Sequence, residues 1–370
     1  LFGICLLSVW YLFAICLVSV CYLFGFTRTF QAGFSGLFKP DIQASARGHC
    51  GALVIIATHS GTFHADEIVA LAILTYLYKD SKIIRSRDPA VLETADLIID
   101  VSGINDARHF DHHSPQFQES RPNGVRYATA GLIWRLFGPR FLEKLAEREL
   151  DTRPTARVLE RSLKRLDREV MEYVDLDDNG DLTSHLEHLA APATAGERAV
   201  LDKICAFFRN APTLPYLVAM ANLPSTEPEA TKECFENTVS LVKRIMICCA
   251  INALATETGI SKVLALYDGG PLLILRERLP WSAAVLDYPE IFTRCLIAVY
   301  PDRNDAWRIQ SLPMSAARRF ENRLSAPPQW RGLNDGELDA ATGLNGLIFV
   351  HRSGFTGGAH TYEDCLKFAK

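Results

Sequence analysis

From Leu53 onward the chain alternates short, unbroken apolar runs with polar turns. LVIIA (residues 53–57) has the length and β-branched content of a strand buried on both faces. The polar stretch THSGTFHADE follows, and ADEIVALAILTYLY then reads as a helix apolar on most of its faces, hence a buried one. SKIIRSRDP predicts a second strand, DLIID a third and RHFDHH a fourth, while YATAGLIWRLFG predicts another apolar helix, closed by Gly138 and Pro139. Strand and helix alternating in this way predict an α/β fold with an open, mostly parallel sheet flanked by helices. Ligands of such sheets collect outside the carboxyl ends of the strands.

Beyond this region the rhythm changes. LEKLAEREL and RVLERSLKRLDREVMEYVD are long, charged and helical, and they run into the acidic turn DLDDNGD (residues 175–181). Residues 189–230 are richer in Ala, Pro and Thr and show little periodicity. The apolar helix ECFENTVSLVKRIMICCAINALA is expected to lead into a second, smaller α+β domain. There KVLALYDGG, PLLILRERLPW, CLIAVYPDR and AWRIQSLP read as strands, and GLIFVHRSGFTGGAHT precedes a last short helix. The expected organisation is a first domain over residues 51–225 and a substrate-binding domain over residues 226–370.

Residues 1–50 stand apart. LFGICLLSVWY and LFAICLVSVCY form an uncharged tandem repeat, long enough to span a bilayer but without a basic leader region. A repeat artefact of the gene model is the first expectation and a membrane anchor the second; the Gly/Ser/Ala-rich stretch that follows reads as a linker or a weak transit segment. The formal net charge of −4 excludes nucleic-acid binding by bulk positive charge, though not a local phosphate cleft. The 10 cysteines contain no C-x-x-C pair, which signals neither a zinc ribbon nor a disulfide framework and suits reduced thiols in an intracellular protein.

The chemistry concentrates at the predicted strand ends. His59, His64 and Asp66 follow the first strand, Asp100 ends the third, and Asp111, His112 and His113 follow the fourth. Any one of them alone is most simply a turn former, a helix-dipole partner or a satisfied loop residue. Together they are a set of carboxylates and imidazoles suited to Mn²⁺, Mg²⁺, Fe²⁺ or Zn²⁺, and numerous enough for two ions. Two such ions about 3.5–4 Å apart can clamp both oxygens of a phosphoryl displacement.

An aspartate ending an apolar strand, an upstream His/Asp turn and DHH together resemble the DHH phosphoesterase superfamily. More closely, THSGTFHADE, RSRDP, FDHH, TAGLIWRLFG, VDLDDNG, RLPW, FENRL, WRGLNDGEL and FVHRSGFTGGAHT resemble the melanocyte-proliferating-gene family (MYG1-type, UPF0160) of metal-dependent hydrolases, from about residue 53 to the C-terminus. The resemblance implies a two-metal phosphodiester hydrolase, foremost a 3′–5′ RNA exonuclease or oligoribonuclease acting on single strands. A small-molecule phosphohydrolase of the same fold and a non-catalytic scaffold are the alternatives. It implies one metal on His59, His64 and Asp100, and a second on Asp66, Asp100, His112 and either Asp178 or Asp175, with Asp178 preferred. Asp111 is expected to orient His112, and His113 to face the substrate phosphate. Arg85, Arg87, His351 and the backbone N–H groups of Gly357 and Gly358 are the expected phosphate contacts. His64 stands where the superfamily usually has an aspartate, one residue further on, which shifts metal preference toward Mn²⁺, Fe²⁺ or Zn²⁺. No stable protein partner is implied, and a membrane only if residues 1–26 are an anchor. The body suits the cytoplasm; eukaryotic relatives go to mitochondria and nucleus.

Overall fold

The computed structural model describes residues 53–189, 194–222 and 227–370. The expectations for residues 1–50 lie outside them. The described chain forms two compact units that meet in sequence between Leu254 and Ala255.

The first unit is built on a parallel sheet. β1 (Ile55–Thr58), β2 (Lys82–Arg85), β3 (Leu97–Ile99) and β4 (His109–Phe110) lie in the order β2-β1-β3-β4. Side-chain alternation sends Ile56 and Ile99 into one core and Ala57 and Ile98 into another on the opposite face. Helices α1 (Ala65–Leu77) and α3 (Thr129–Glu149) cover the first face, and the short α2 (Pro89–Leu92) contributes Leu92 to the second. From β1 the chain goes to β2 on one side and then crosses back to β3 on the other. The reversal leaves a crevice between the carboxyl ends of β1 and β3, where this architecture receives ligands.

Two boundaries differ from expectation. Helix α3 does not stop at Gly138 but continues through Pro139 to Glu149. An interior proline costs roughly 3 kcal/mol. Beyond it, however, Phe141, Leu142, Leu145 and Ala146 are all buried, and Tyr76 meets Phe141 edge-on at 5.1 Å. Burying Phe141 and the two leucines returns about 1.5–3 kcal/mol each, which outweighs the proline. Gly138 is there for room rather than as a cap, since a Cβ would lie 2.9 Å from Trp134. Likewise KVLAL (residues 262–266) is not a strand but the end of a helix, Pro228–Leu266. A five-residue apolar run carries no period that separates the two states. That helix is long and apolar enough to cross a membrane, yet Phe235, Val239, Val242, Met246 and Ala250 are buried in the core of the first unit. The weakly patterned residues 189–230 contain helices Ala195–Asn210 and Leu214–Ala221.

The segment leading to the acidic turn is the unusual part of this unit. A helix over Ala156–Leu166 passes through one π-helical stretch, Asp167–Met171, into α-helix Glu172–Asp178. Such inserted turns re-aim the residues that follow and are common at functional sites. Here a buried ion cluster fixes the result. Arg121 grips Asp167 with Nε and Nη2 at 2.9 and 2.7 Å and donates Nη1 to Asp175 at 2.7 Å. The second oxygen of Asp175 accepts the Gly131 N–H at 3.0 Å, and no side chain would fit there because a Gly131 Cβ would lie 2.0 Å from that carboxylate.

The second unit is a mixed sheet with the order β5-β6-β7-β9-β8, where β5 is Leu272–Ile274, β6 Ile297–Pro301, β7 Trp307–Ser311, β8 Leu347–Val350 and β9 Thr356–Ala359. Its one parallel pair is β5 with β6. Gly357 and Gly358 sit mid-strand in β9, paired with β7 on one side and β8 on the other. Their backbone is committed to the ladder, and the missing side chains are explained by Phe349 and Phe368, which a Cβ would meet at 2.9–3.1 Å. This replaces the expected phosphate contact with a packing role.

Removing one partner of a buried ion cluster strands the others. Arg121→Ala should therefore cost about 3–5 kcal/mol of stability, read as a fall in the urea midpoint. A loss below about 1 kcal/mol would show that the cluster does not fix the helix.

Candidate metal centre

Each functional side chain arrives at the crevice from an element that the sequence dictates. His59 leaves the end of β1 and is buried. His64 is the N-cap of α1, and Asp66 and Glu67 occupy that helix's first turn, where the helix dipole favours negative charge. Asp100 follows β3 directly. It holds a left-handed backbone conformation, φ 56°, unusual for a residue with a side chain. Its N–H donates to the Phe110 carbonyl at 3.0 Å, and its carboxylate turns into the crevice. His112 and His113 follow β4. Asp178 is the last residue of the helix set by Arg121.

The potential ligands form three groups whose donor atoms lie within 4.8 Å of one another: His59, His64 and Asp100; His64, Asp66 and Asp178; and Asp100, Asp111, His112 and His113. His64 links the first two groups and Asp100 links the first and third, so the cluster is continuous. The same contacts separate the alternatives left open by sequence. Asp178 faces His112, Oδ2 to Nε2 at 3.0 Å, whereas Asp175 is consumed by Arg121 and Gly131. Asp111 does not hold His112. Its Oδ1 accepts both the backbone N–H and the ring Nδ1 of His113, at 2.9 and 2.8 Å, and its Oδ2 accepts the Gly103 N–H at 2.6 Å. His112 rests instead against Asp178 and the Thr129 hydroxyl, which lies 3.4 Å from its Nδ1 and donates to Asp100 at 3.1 Å.

Arg85 and Arg87 are spent on the loop that carries the histidines. Arg85 donates to the carbonyls of His59 and Gly61 and lies over Phe235 at 4.2 Å, while Arg87 donates to the Ser60 carbonyl. His351 belongs to the second unit, where its Nδ1 meets the Ser353 hydroxyl at 2.8 Å. Two residues escaped the sequence reading. Arg121 had no signal. Glu67 had one, as it stands three residues after an N-cap in front of an apolar run, the reciprocal position of a capping box. It accepts the His64 N–H at 3.2 Å, the Thr58 hydroxyl at 2.5 Å and the His59 Nε2 at 2.8 Å.

The electrostatics are those of a site short of positive charge. Both ring nitrogens of His59 face oxygen acceptors, Ser60 O at 3.2 Å and Glu67 at 2.8 Å, an arrangement that favours the doubly protonated ring. Burial opposes that charge, but the bonds to Asp100 and Glu67 outweigh it and push the imidazolium up to about 10. Asp111 is also buried, yet the N–H donors of His113 and Gly103 hold it down at about 2. Its bond in turn raises His113 above the ordinary imidazole range. Asp100 is raised, first by burial and then by its carboxylate neighbours. Asp178 is held below its ordinary value, where the His112 bond overcomes burial. Asp66 is the exception. It is fully buried and neither of its oxygens has a hydrogen-bond partner. Burial first, then the charges of Asp100, Asp178 and Glu67, drive it well above the carboxylate range. A buried carboxylate among imidazoles and other carboxylates suits a divalent cation.

Two outcomes follow. In chelator, Asp66→Asn should stabilise the protein by about 1–3 kcal/mol near neutral pH, since it removes the cost of burying a carboxyl that burial and its acidic neighbours hold well above the carboxylate range; the same change should abolish any Mn²⁺-induced rise in Tm. An Asp66→Asn chain that is less stable in chelator, or that still gains stability from Mn²⁺, would contradict the assignment. The second concerns protons. A histidine raised above 6.5 stabilises the metal-free fold fully below that pH, and the contribution is lost as pH climbs toward about 10. Mn²⁺ taken up on the His59 ring would have to displace the same proton. Its affinity should therefore rise between pH 7 and 9, by roughly tenfold per unit for each proton released, and calorimetry in two buffers should register the release. A pH-independent affinity would contradict it.

Comparison with known proteins places the chain in a family. The model of the uncharacterised protein family UPF0160 (MYG1_exonuc) matches residues 55–370. The MYG1 protein of Schizosaccharomyces pombe is 32% identical over 338 residues, covering 86% of this chain and 97% of the relative. The MYG1 exonuclease of Homo sapiens is 30% identical over 339 residues, covering 85% and 84%. The MYG1 protein of Dictyostelium discoideum is 28% identical over 338 residues, covering 85% and 94%. From the first parallel strand to the C-terminus, then, the chain belongs to the MYG1 (UPF0160) family.

Proposed function

We propose that this chain is a phosphodiesterase of the DHH type that uses two divalent ions to remove nucleotides from the 3′ end of single-stranded RNA. Membership of a family whose mammalian proteins are named exonucleases supports a hydrolase acting on nucleic acid. The observation that carries the finer reading is Asp66, a fully buried carboxylate without a partner, between Asp100 and Asp178. His59, His64 and Asp100 would hold one ion; Asp66, Asp100, His112 and Asp178 would hold the other. The mixed imidazole and carboxylate set suits Mn²⁺. When bound, such a pair supplies an activated water and neutralises charge on the phosphoryl oxygens.

The chain's own groups prepare the site for that chemistry. Thr129 donates to Asp100 and fixes the carboxylate shared between the two ligand sets. Glu67 fixes the His59 ring from the first turn of α1. The Asp111 carboxylate keeps the His113 Nδ1 protonated and the ring aimed. The His113 side chain is 61% exposed, so the ring can donate to a phosphate oxygen as charge develops there.

With Mn²⁺, a 5′-labelled oligoribonucleotide should shorten one nucleotide at a time from its 3′ end, and chelator should stop the reaction. Asp66→Asn and His112→Ala should each lower kcat/KM by about 10³-fold or more, the scale expected when a catalytic ion is lost. Hydrolysis of pyrophosphate or mononucleotides with RNA left intact would reject the proposal, as would cleavage that survives chelation.

A further inference from the structure

Beside the carboxylate cluster lies a cavity of about 380 Å³, floored by His113 and Asp178 and walled by Phe117, Gln118, Arg126 and Tyr127. The volume is in the range that encloses a nucleotide-sized ligand. A ligand that sets a phosphate on His113 must lay the rest of itself against that wall, and the wall's chemistry narrows what the rest can be. Arg126 is its one guanidinium or ammonium group, and that charge is already paired. Nε and Nη2 donate to Asp181 at 2.7 and 3.0 Å, and Nη2 also reaches the Asn179 carbonyl at 3.4 Å. A second phosphate would meet no uncompensated cation there. The Nη1 N–H groups are left as hydrogen-bond donors.

The aromatic rings differ in availability. Tyr127 carries the guanidinium of Arg121 at 4.4 Å and that of Arg135 at 4.7 Å, which leaves chiefly its hydroxyl. Phe117 is partly buried against the core and has no ring or guanidinium partner among the described residues. Gln118 is exposed beside it, with an amide that offers both a donor and an acceptor. A partly exposed phenyl ring on the pocket lining, bordered by an amide and a pair of N–H donors, is a set that can hold a flat ring with heteroatoms on its edge. The wall is also preformed. Arg121 N–H donates to the Val125 carbonyl at 2.7 Å and Tyr127 N–H to the Glu119 carbonyl at 3.1 Å, and the Arg121 ion cluster anchors the segment.

We propose that Phe117 is the stacking platform of a nucleobase subsite, with Gln118 and the Arg126 Nη1 on the edge of the base. The 3′-terminal nucleotide seats there with its 5′-phosphate at His113. The inference rests on the phosphodiesterase reading for the placement of the phosphate, and adds that recognition extends to the base.

Calorimetry on the full chain with Mn²⁺ present tests it, using AMP and ribose 5-phosphate as probes. The wild type should bind AMP about tenfold more tightly than ribose 5-phosphate, the scale of one stacked base. Phe117→Ala should weaken AMP by about that factor while ribose 5-phosphate moves less than twofold, and Phe117→Trp should restore the preference. Equal affinity of the wild type for the two probes, or an equal loss for both in Phe117→Ala, would overturn the subsite even if RNA is degraded. An AMP preference that depends on Phe117 in a protein that leaves RNA intact would uphold the subsite and reject the nuclease reading.

Discussion

Four carboxylates, those of Asp66, Glu67, Asp100 and Asp178, are brought into mutual electrostatic contact inside one crevice of this protein. Two like charges about 5 Å apart repel by roughly 3 kcal/mol even at an effective dielectric of 20. A fold keeps such an arrangement only if cations answer it or protons neutralise part of it. Without a metal, the chain supplies the His59 imidazolium between Glu67 and Asp100 and the raised His113 beside Asp100, while the His112 Nε2 meets Asp178 at 3.0 Å. Asp66, fully buried beside His64 and Asp178, is the least compensated of the four, and the function proposed for the chain turns on it.

The scaffold spends several unfavourable features on holding these groups together. Asp100 sits in a left-handed conformation so that its carboxylate can leave the end of β3 toward the crevice. A π-helical stretch interrupts a long helix. Arg121 then binds both Asp167 and Asp175, eight positions apart and flanking the re-aimed turn. One turn of helix beyond Asp175, Asp178 arrives beside His112. The ion cluster thus acts on the site through geometry. It settles which of two neighbouring aspartates faces the histidines.

Much of this was legible in the sequence because it follows from periodicity. The apolar runs at residues 53–57 and 97–99 had to be interior strands, and an α/β sheet of that kind carries its chemistry at the carboxyl ends of its strands. The placement of His59, His64, Asp66, Asp100, His112 and His113 around one crevice follows from those two rules. What periodicity cannot carry was not legible. The role of Asp175 depends on a long-range partner, Arg121, 54 positions earlier in the chain. Which histidine Asp111 would hold was a matter of one residue's backbone direction. Arg85 and Arg87 looked free for phosphate because local sequence does not show that loop carbonyls wait beside them. Gly357 and Gly358 looked like a phosphate-binding turn, since packing against Phe349 and Phe368 leaves no trace in neighbouring residues. Helix α3 ran through Pro139 because the core beyond it was worth more than the lost bond.

The central claim is that the buried acids and imidazoles of the first unit cage a pair of divalent ions. Crystals grown with Mn²⁺ and measured at the manganese edge test it directly. The account predicts two anomalous peaks that share Asp100, one bounded by His59 and His64, the other by Asp66, His112 and Asp178. A map with no peak in the crevice, or with manganese bound elsewhere while Asp66 keeps its bare carboxylate, would contradict it.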